Sequence, residues 1–360
     1  MNIVYGVSGE GLGHVFEAIE IIDLLQRDGH TVKVLTFGDR ALECLARFNP
    51  VVIEGIHLVV DAKGLSLPKT FERNKPFFAF FARHTRRLLR DLAEFRPDVF
   101  ISGYEPFTTL AANWLRRPLI CMDNQNELRL LPRPKGASLS AFYLVCAANR
   151  IVTFGAAYCI IKSLRRPEVP NPRLRVVSPI VQQEIRRLNP TQGKHVLVYL
   201  TKPNEQVIAT LKAIPSETFI VYCHDRSGAD ANITFRPRGL QFLEDLASCR
   251  AVIGTAGFSL IADSIYLRKP YFAVPLKRQF EQIHNASFLT DAGVGESSEA
   301  ISCEQIESFL RRLPEYRSRL GRYHFDPAEQ EHALREILRR LAPAAPPESS
   351  PPLTAPFLET

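Results

Sequence analysis

No stretch of this sequence is apolar for long enough to cross a bilayer, which excludes a helical membrane span on length alone. Cysteines occur only singly (44, 121, 146, 159, 223, 249 and 303), without C-x-x-C pairs or zinc-type spacing. Several sit in apolar segments and read as small core residues in a reducing cytoplasm. The first residues read as a strand rather than a secretory leader, so a cytoplasmic chain is expected. No recognised nucleic-acid module is present, and the net charge of +7 is locally concentrated, which argues against nucleic acid as a partner.

What is present is an ordinary globular composition, 46% hydrophobic and 23% charged, in a chain of 360 residues that is long enough for two domains. Apolar runs predict strands at 2–7, 31–37, 51–53 with 57–60, 98–102, 118–122 and 150–153. Helical patterns lie between them near 14–28, 39–47, 77–95, 105–115, 138–148 and 155–164. After a stretch rich in proline and arginine (167–190), a second series opens with His195-Val-Leu-Val-Tyr-Leu200. It continues with strands at 219–223, 233–235, 251–253 and 271–274. Helices follow near 204–213, 239–248, 258–267, 279–292, 302–312 and 327–341. Alternating β and α segments imply a parallel sheet covered on both faces, so the fold class is α/β in two Rossmann-like halves. The expected units are 1–178 and 179–341, with a proline-rich, disordered tail at 342–360.

The opening strand runs directly into Gly6, Gly9, Gly11 and Gly13 and then His14, at the start of an apolar-periodic helix that carries Glu17. Glycines at a strand-to-helix turn let the backbone approach a ligand and leave N–H groups at the positive helix end. The spacing Gly9-x-Gly11-x-Gly13 lacks the last gap of the dinucleotide fingerprint, and only Asp39 could serve as its ribose carboxylate. A tight structural turn with His14 near the cap is the competing reading.

Residues 71–96 interleave Arg73, Lys75, Arg83, His84, Arg86, Arg87, Arg90 and Arg96 with Phe77, Phe78, Phe80 and Phe81. Such a mixture suits an anionic membrane surface or a lipid-linked acceptor. It equally suits an amphipathic helix with a buried aromatic face.

The densest signal is Val252-Ile-Gly-Thr-Ala-Gly-Phe-Ser-Leu-Ile-Ala-Asp263, followed by Lys269-Pro-Tyr-Phe-Ala-Val-Pro275 and Gln279-Phe-Glu-Gln-Ile-His-Asn285. Gly254, Thr255, Ala256 and Gly257 precede a helix N-terminus, a geometry that cradles a diphosphate. Asp263 falls two turns further on, and Gln282 and Asn285 share a helix face.

This ordered set resembles the GT-B glycosyltransferases, most closely the branch of the peptidoglycan N-acetylglucosaminyltransferase. Within that branch it is similar to prokaryotic proteins built on Gly-Glu-Gly-x-Gly-His and Gly-Thr-Ala-Gly-Phe. The resemblance implies two Rossmann-like domains facing across a cleft, with a nucleotide-sugar, by default a UDP-sugar, on the second. It assigns Gly254 through Gly257 to the donor diphosphate. Asp263 takes the position of a ribose-binding Glu, and Gln282 and Asn285 go to donor sugar or ribose. No Asp-x-Asp occurs, in keeping with a metal-independent, inverting transfer that needs no cofactor. Related sequences often carry Asp where Gly103 stands.

Inverting transfer requires a base at the acceptor hydroxyl. His14 is the first candidate and Glu105, after the strand at 98–102, the second. Gly9, Gly11, Gly13, Glu17, Asp123, Asn124 and Gln125 complete the expected acceptor side of the cleft, the last three alternatively forming a hydrogen-bonded turn. A small-molecule or lipid acceptor is expected, with the enzyme cytoplasmic and peripheral to a membrane. Two other readings stay open: a sugar-nucleotide epimerase on the same fold, and a non-catalytic sugar-nucleotide or glycolipid binder. His30, Trp114 and His224 read as structural.

Overall fold

The computed structural model describes residues 1–342 except 10–11, 58–59, 62–63, 66, 135–137, 201–203, 224–225, 238, 240, 277–278 and 327. Gly11, His224 and the proline-rich tail from 343 onward lie outside the described residues.

Among the described residues the strands form two seven-stranded sheets and one small hairpin. The first domain contributes β1 (Asn2–Val7), β2 (Thr31–Thr36) and β3 (Val51–Val52), then the hairpin β4 (Val60–Asp61) and β5 (Gly64–Leu65). It continues with β6 (Val99–Gly103), β7 (Leu119–Asp123), β8 (Tyr158–Lys162) and β9 (Leu174–Val177). The second domain contributes β10 (His195–Leu200), β11 (Thr218–Cys223), β12 (Gly228–Asp230), β13 (Ile233–Arg236), β14 (Ala251–Gly254), β15 (Tyr271–Ala273) and β16 (Gly295–Ser297). The sheet orders are β3-β2-β1-β6-β7-β8-β9 and β12-β13-β11-β10-β14-β15-β16. Every pairing in them is parallel except that of β12 with β13.

Ile3, Val4 and Val7 of β1 are fully buried, as are Val196, Leu197 and Val198 of β10. Strands covered by helices on both faces are apolar throughout, so both open their domains as unbroken hydrophobic runs. Each lies where strand order reverses: β1 between β2 and β6, β10 between β11 and β14. Ligands of open α/β sheets settle beyond the carboxyl ends of the strands at that point.

Two expectations for 150–164 were inverted. Helix Leu139–Val152 runs through the segment expected as a strand, and β8 occupies the segment expected as a helix. Short apolar runs do not reveal their own period. Here Ser138 caps the helix start, Gly155 at φ +74° turns the chain, and Cys159 to Ile161 then pair with β7. The last helix, Glu329–Leu341, was expected with the second unit. It returns instead to the first, burying Ala333, Leu334, Ile337 and Leu338 in the core shared by β8, β9 and helix Leu12–Arg27, with Arg335 paired to Asp28 at 2.6 Å.

Helix Lys75–Phe95 divides its aromatics: Phe80 and Phe81 pack towards Leu89 and Leu92, whereas Phe78 stays exposed together with Arg83, Arg86, Arg87 and Arg90. No helix among the described residues is long and apolar enough to cross a membrane.

Candidate functional site

The carboxyl edges of the two sheets face each other across a cavity of about 400 Å³. The first domain lines it with Ser8, Gly13, His14, Glu17, Tyr104, Asn124, Gln125 and Lys162, and the second with Phe258, Ser259, Asp263, Gln279, Phe280 and Glu281. Direct contacts hold the walls in register. Asn124 Nδ2 donates to Glu281 Oε1 at 2.8 Å, and Phe142 meets Phe280 edge-on at 5.6 Å. Arg165 reaches Ser287 Oγ at 2.7 Å and Asp291 at 2.9 Å. The two glycine turns meet at Gly13, where a Cβ would stand 2.7 Å from Ser259 Oγ.

His14 lies in the first turn of helix Leu12–Arg27, its ring parallel to that of Tyr104 and its Nε2 3.0 Å from the Gln125 amide nitrogen. Burial, helped by the Lys162 ammonium, pushes its pKa down to about 3, so the imidazole is neutral at ordinary pH. Lys162 ends β8 in an almost fully buried ion pair with Glu17. The other Glu17 oxygen accepts from Gln330 Nε2 at 2.8 Å, which ties the returning C-terminal helix into the cavity wall. Tyr104 holds a left-handed backbone (φ 61°) and donates its hydroxyl to Asn149 Oδ1 at 2.6 Å. Strain of this kind in a non-glycine residue persists only where the surroundings enforce it.

On the opposite wall, β14 ends at Gly254, whose missing side chain admits the Tyr271 hydroxyl and the Tyr199 carbonyl; a Cβ would approach them to 2.7 and 3.0 Å. Tyr271 donates to the Thr255 carbonyl at 2.6 Å and Asn285 Nδ2 to that of Ala256 at 3.0 Å. These bonds fix the turn. Gly257 then caps helix Phe258–Tyr266 without a side-chain hydrogen bond, and the space a Cβ would enter there is open. An uncapped helix start facing a cavity presents backbone N–H groups and positive dipole to an anion.

Several expected residues serve other ends. Glu105 is fully buried and caps helix Pro106–Trp114, accepting from Phe107 N at 2.8 Å, Thr108 N at 2.7 Å and Thr108 Oγ1 at 2.5 Å. It does not line the cavity, so it is set aside as a base. Asp123 is likewise engaged with Asn126, its backbone N–H at 2.8 Å and its amide at 2.9 Å, in the turn after β7. Gly9 makes room not for a ligand but for the Phe37 carbonyl, which a Cβ would meet at 1.8 Å. Gln282 accepts from Leu276 N at 2.9 Å and braces its loop, as Asn285 braces the Ala256 turn. Neither lines the cavity, whereas Asp263 does. At Gly103 a Cβ would lie 3.3 Å from the Gly6 carbonyl.

Tyr104, Lys162, Ser259 and Glu281 line the cavity without having been singled out. Lys162 had a legible signal, a lone cation closing an apolar run, hidden once that run was read as a helix.

The comparisons agree with this architecture. A protein of Methanosarcina acetivorans described as an uncharacterized glycosyltransferase is 24% identical over 327 residues, covering 82% of this chain and 85% of its own. The glycotransferase of kitacinnamycin superposes with a TM-score of 0.65 at 14% identity, over 95% of this chain and 99% of that one. MurG of Acinetobacter baumannii gives 0.62 at 17% identity over 94% and 99%. The two structural matches establish the GT-B fold, two Rossmann-like domains facing across a cleft. Residues 1–314 match the sequence profile of glycosyl transferase family 1, and the chain belongs to that family as a glycosyltransferase.

Proposed function

We propose that the protein transfers a sugar with inversion from a nucleoside-diphosphate sugar, a UDP-sugar by preference, to a hydroxyl of a hydrophobic or lipid-linked acceptor. One observation carries this reading: a half-buried, neutral imidazole on one wall faces an uncapped helix start on the other, with Gly13 against Ser259 between them. An anionic leaving group needs the second wall and an attacking hydroxyl needs the first.

In this mechanism the diphosphate lies on the turn Gly254–Gly257 and the first N–H groups of helix Phe258–Tyr266, and Asp263 lies within reach of the donor's hydroxyls. The acceptor oxygen attacks the anomeric carbon as His14 takes its proton. The bond from that carbon to the diphosphate oxygen breaks, and its electron pair leaves with the phosphate. Helix N–H groups take up the developing charge, so no metal ion is required. Gln125 acts as a positioning residue. With its amide turned so that Oε1 accepts from Nε2–H, Nδ1 of His14 keeps the lone pair that receives the proton. Gln125 Oε1 has no other partner among the described residues.

Incubation with labelled UDP-sugars and a lipid-extract acceptor tests the proposal. Release of UDP with labelled glycoside supports it, and chelator leaves that rate unchanged. Isomerised sugar would mark an epimerase, and binding without turnover a non-catalytic binder. His14→Ala at full rate would remove the assigned base.

A further inference from the structure

The wall of the cavity formed by helix Leu139–Val152 has an unusual outer face. Val145 and Asn149 line the cavity, and Phe142 packs on Phe280. The outward side of the same helix carries Leu139, Tyr143, Leu144 and Ile151, exposed by 59, 60, 50 and 72%. Phe154, 68% exposed, follows at the turn beyond the helix, and Trp114, 70% exposed, adjoins it. The hydrogen bond from Asn113 Nδ2 to the Phe154 carbonyl (2.9 Å) joins the two turns. Solvated proteins rarely leave so many large apolar side chains together in water.

The charge of this face has one sign. Segments 106–117 and 139–157 contain no Asp or Glu, and their charged residues are Arg116, Arg117 and Arg150. All three are exposed, and none makes an ion pair among the described residues. Helix Lys75–Phe95, by contrast, offers only Phe78 as a strongly exposed aromatic and pairs Arg87 with Asp91.

We infer that the face of Trp114, Tyr143, Leu144, Ile151 and Phe154, with its three arginines, docks on an anionic lipid bilayer. Apolar and aromatic side chains enter the interface while arginines meet lipid phosphates. Lone cations without carboxylates would repel each other in a self-association of this face. The inference goes beyond the proposed function, and docking is measured without turnover.

The test is co-sedimentation of the full chain with phosphatidylglycerol-containing vesicles and with pure phosphatidylcholine vesicles. The expected result is binding to the former, weakened at least tenfold by Trp114→Ser/Ile151→Ser/Phe154→Ser and severalfold by Arg116→Gln/Arg117→Gln/Arg150→Gln. Phe71→Ser/Phe78→Ser leaves binding within about twofold. Circular dichroism of each variant confirms the fold, since all these side chains are exposed. Absence of wild-type binding, or a triple variant that binds like wild type, overturns the inference. So does sedimentation equilibrium showing a dimer that the triple variant breaks without any vesicle binding, which assigns the face to a second copy. Vesicle binding by a protein that neither binds nor turns over UDP-sugars refutes the proposed function and leaves docking intact.

Discussion

Replacing Gly13 by alanine probes the contact between the two walls separately from the stability of the helix that carries it. The new Cβ would stand 2.7 Å from Ser259 Oγ, and its next neighbour, Ser259 Cβ, lies at 3.8 Å. Tolerable contacts begin near 3.4 Å, so the shortfall is 3.4 − 2.7 = 0.7 Å. The backbone at Gly13 is not left-handed, and alanine in a helix is favoured over glycine by ~0.5–1 kcal/mol, so melting temperature should hold or rise. The walls absorb the clash in one of two ways. Turning Ser259 to a poorer rotamer costs about 0.5–1.5 kcal/mol. Separating the walls misplaces donor against base, and ~1 Å of such misplacement is worth roughly a hundredfold. We therefore expect kcat/KM, measured by UDP release, to fall between about threefold and a hundredfold. Adding Ser259→Ala leaves nothing nearer than 3.8 Å and should restore the Gly13→Ala variant to within about twofold of Ser259→Ala alone. Full kcat/KM in Gly13→Ala, or a double variant no better than the single, would refute the closed contact.

Further expectations follow from the titratable groups of the interior. His14 stays neutral down to about pH 3, so kcat/KM should show no acid limb near the ordinary imidazole value. Its unfolded form takes a proton below ~6.5 while the folded form does not, so stability falls as pH drops from about 7 to 5, by on the order of 1–2 kcal/mol. Urea melts of wild type and His14→Asn should differ in that slope. Lys162→Met leaves the Glu17 carboxylate buried with only Gln330 as partner, for a loss of about 3–5 kcal/mol in urea unfolding. Lys162→Met combined with Glu17→Gln should recover most of it. Glu105→Ala removes a cap with three bonds, lowering stability by ~1–2 kcal/mol with kcat intact. A fall in kcat at unchanged stability would return Glu105 to the reaction.

The sequence by itself determined the alternation of strands and helices, the two α/β halves, and the segments that become the facing turns. Both signals are local: a strand buried on both faces must be apolar, and a turn that brings backbone close to a helix start needs small residues. Residues with the same local signature then parted company. Gly13 faces Ser259 across the cleft, whereas Gly9 faces the Phe37 carbonyl within its own domain. His14 lines the cavity and Glu105 caps a helix, because an acidic residue before Pro106 reads alike as catalyst or cap until the packing is known. Tertiary structure alone decided that Lys162 joins Glu17, that Asn124 meets Glu281 157 positions away, and that Glu329–Leu341 returns to the first domain. Each depends on how elements far apart in the chain pack together, and period and spacing along a chain carry no information about that geometry.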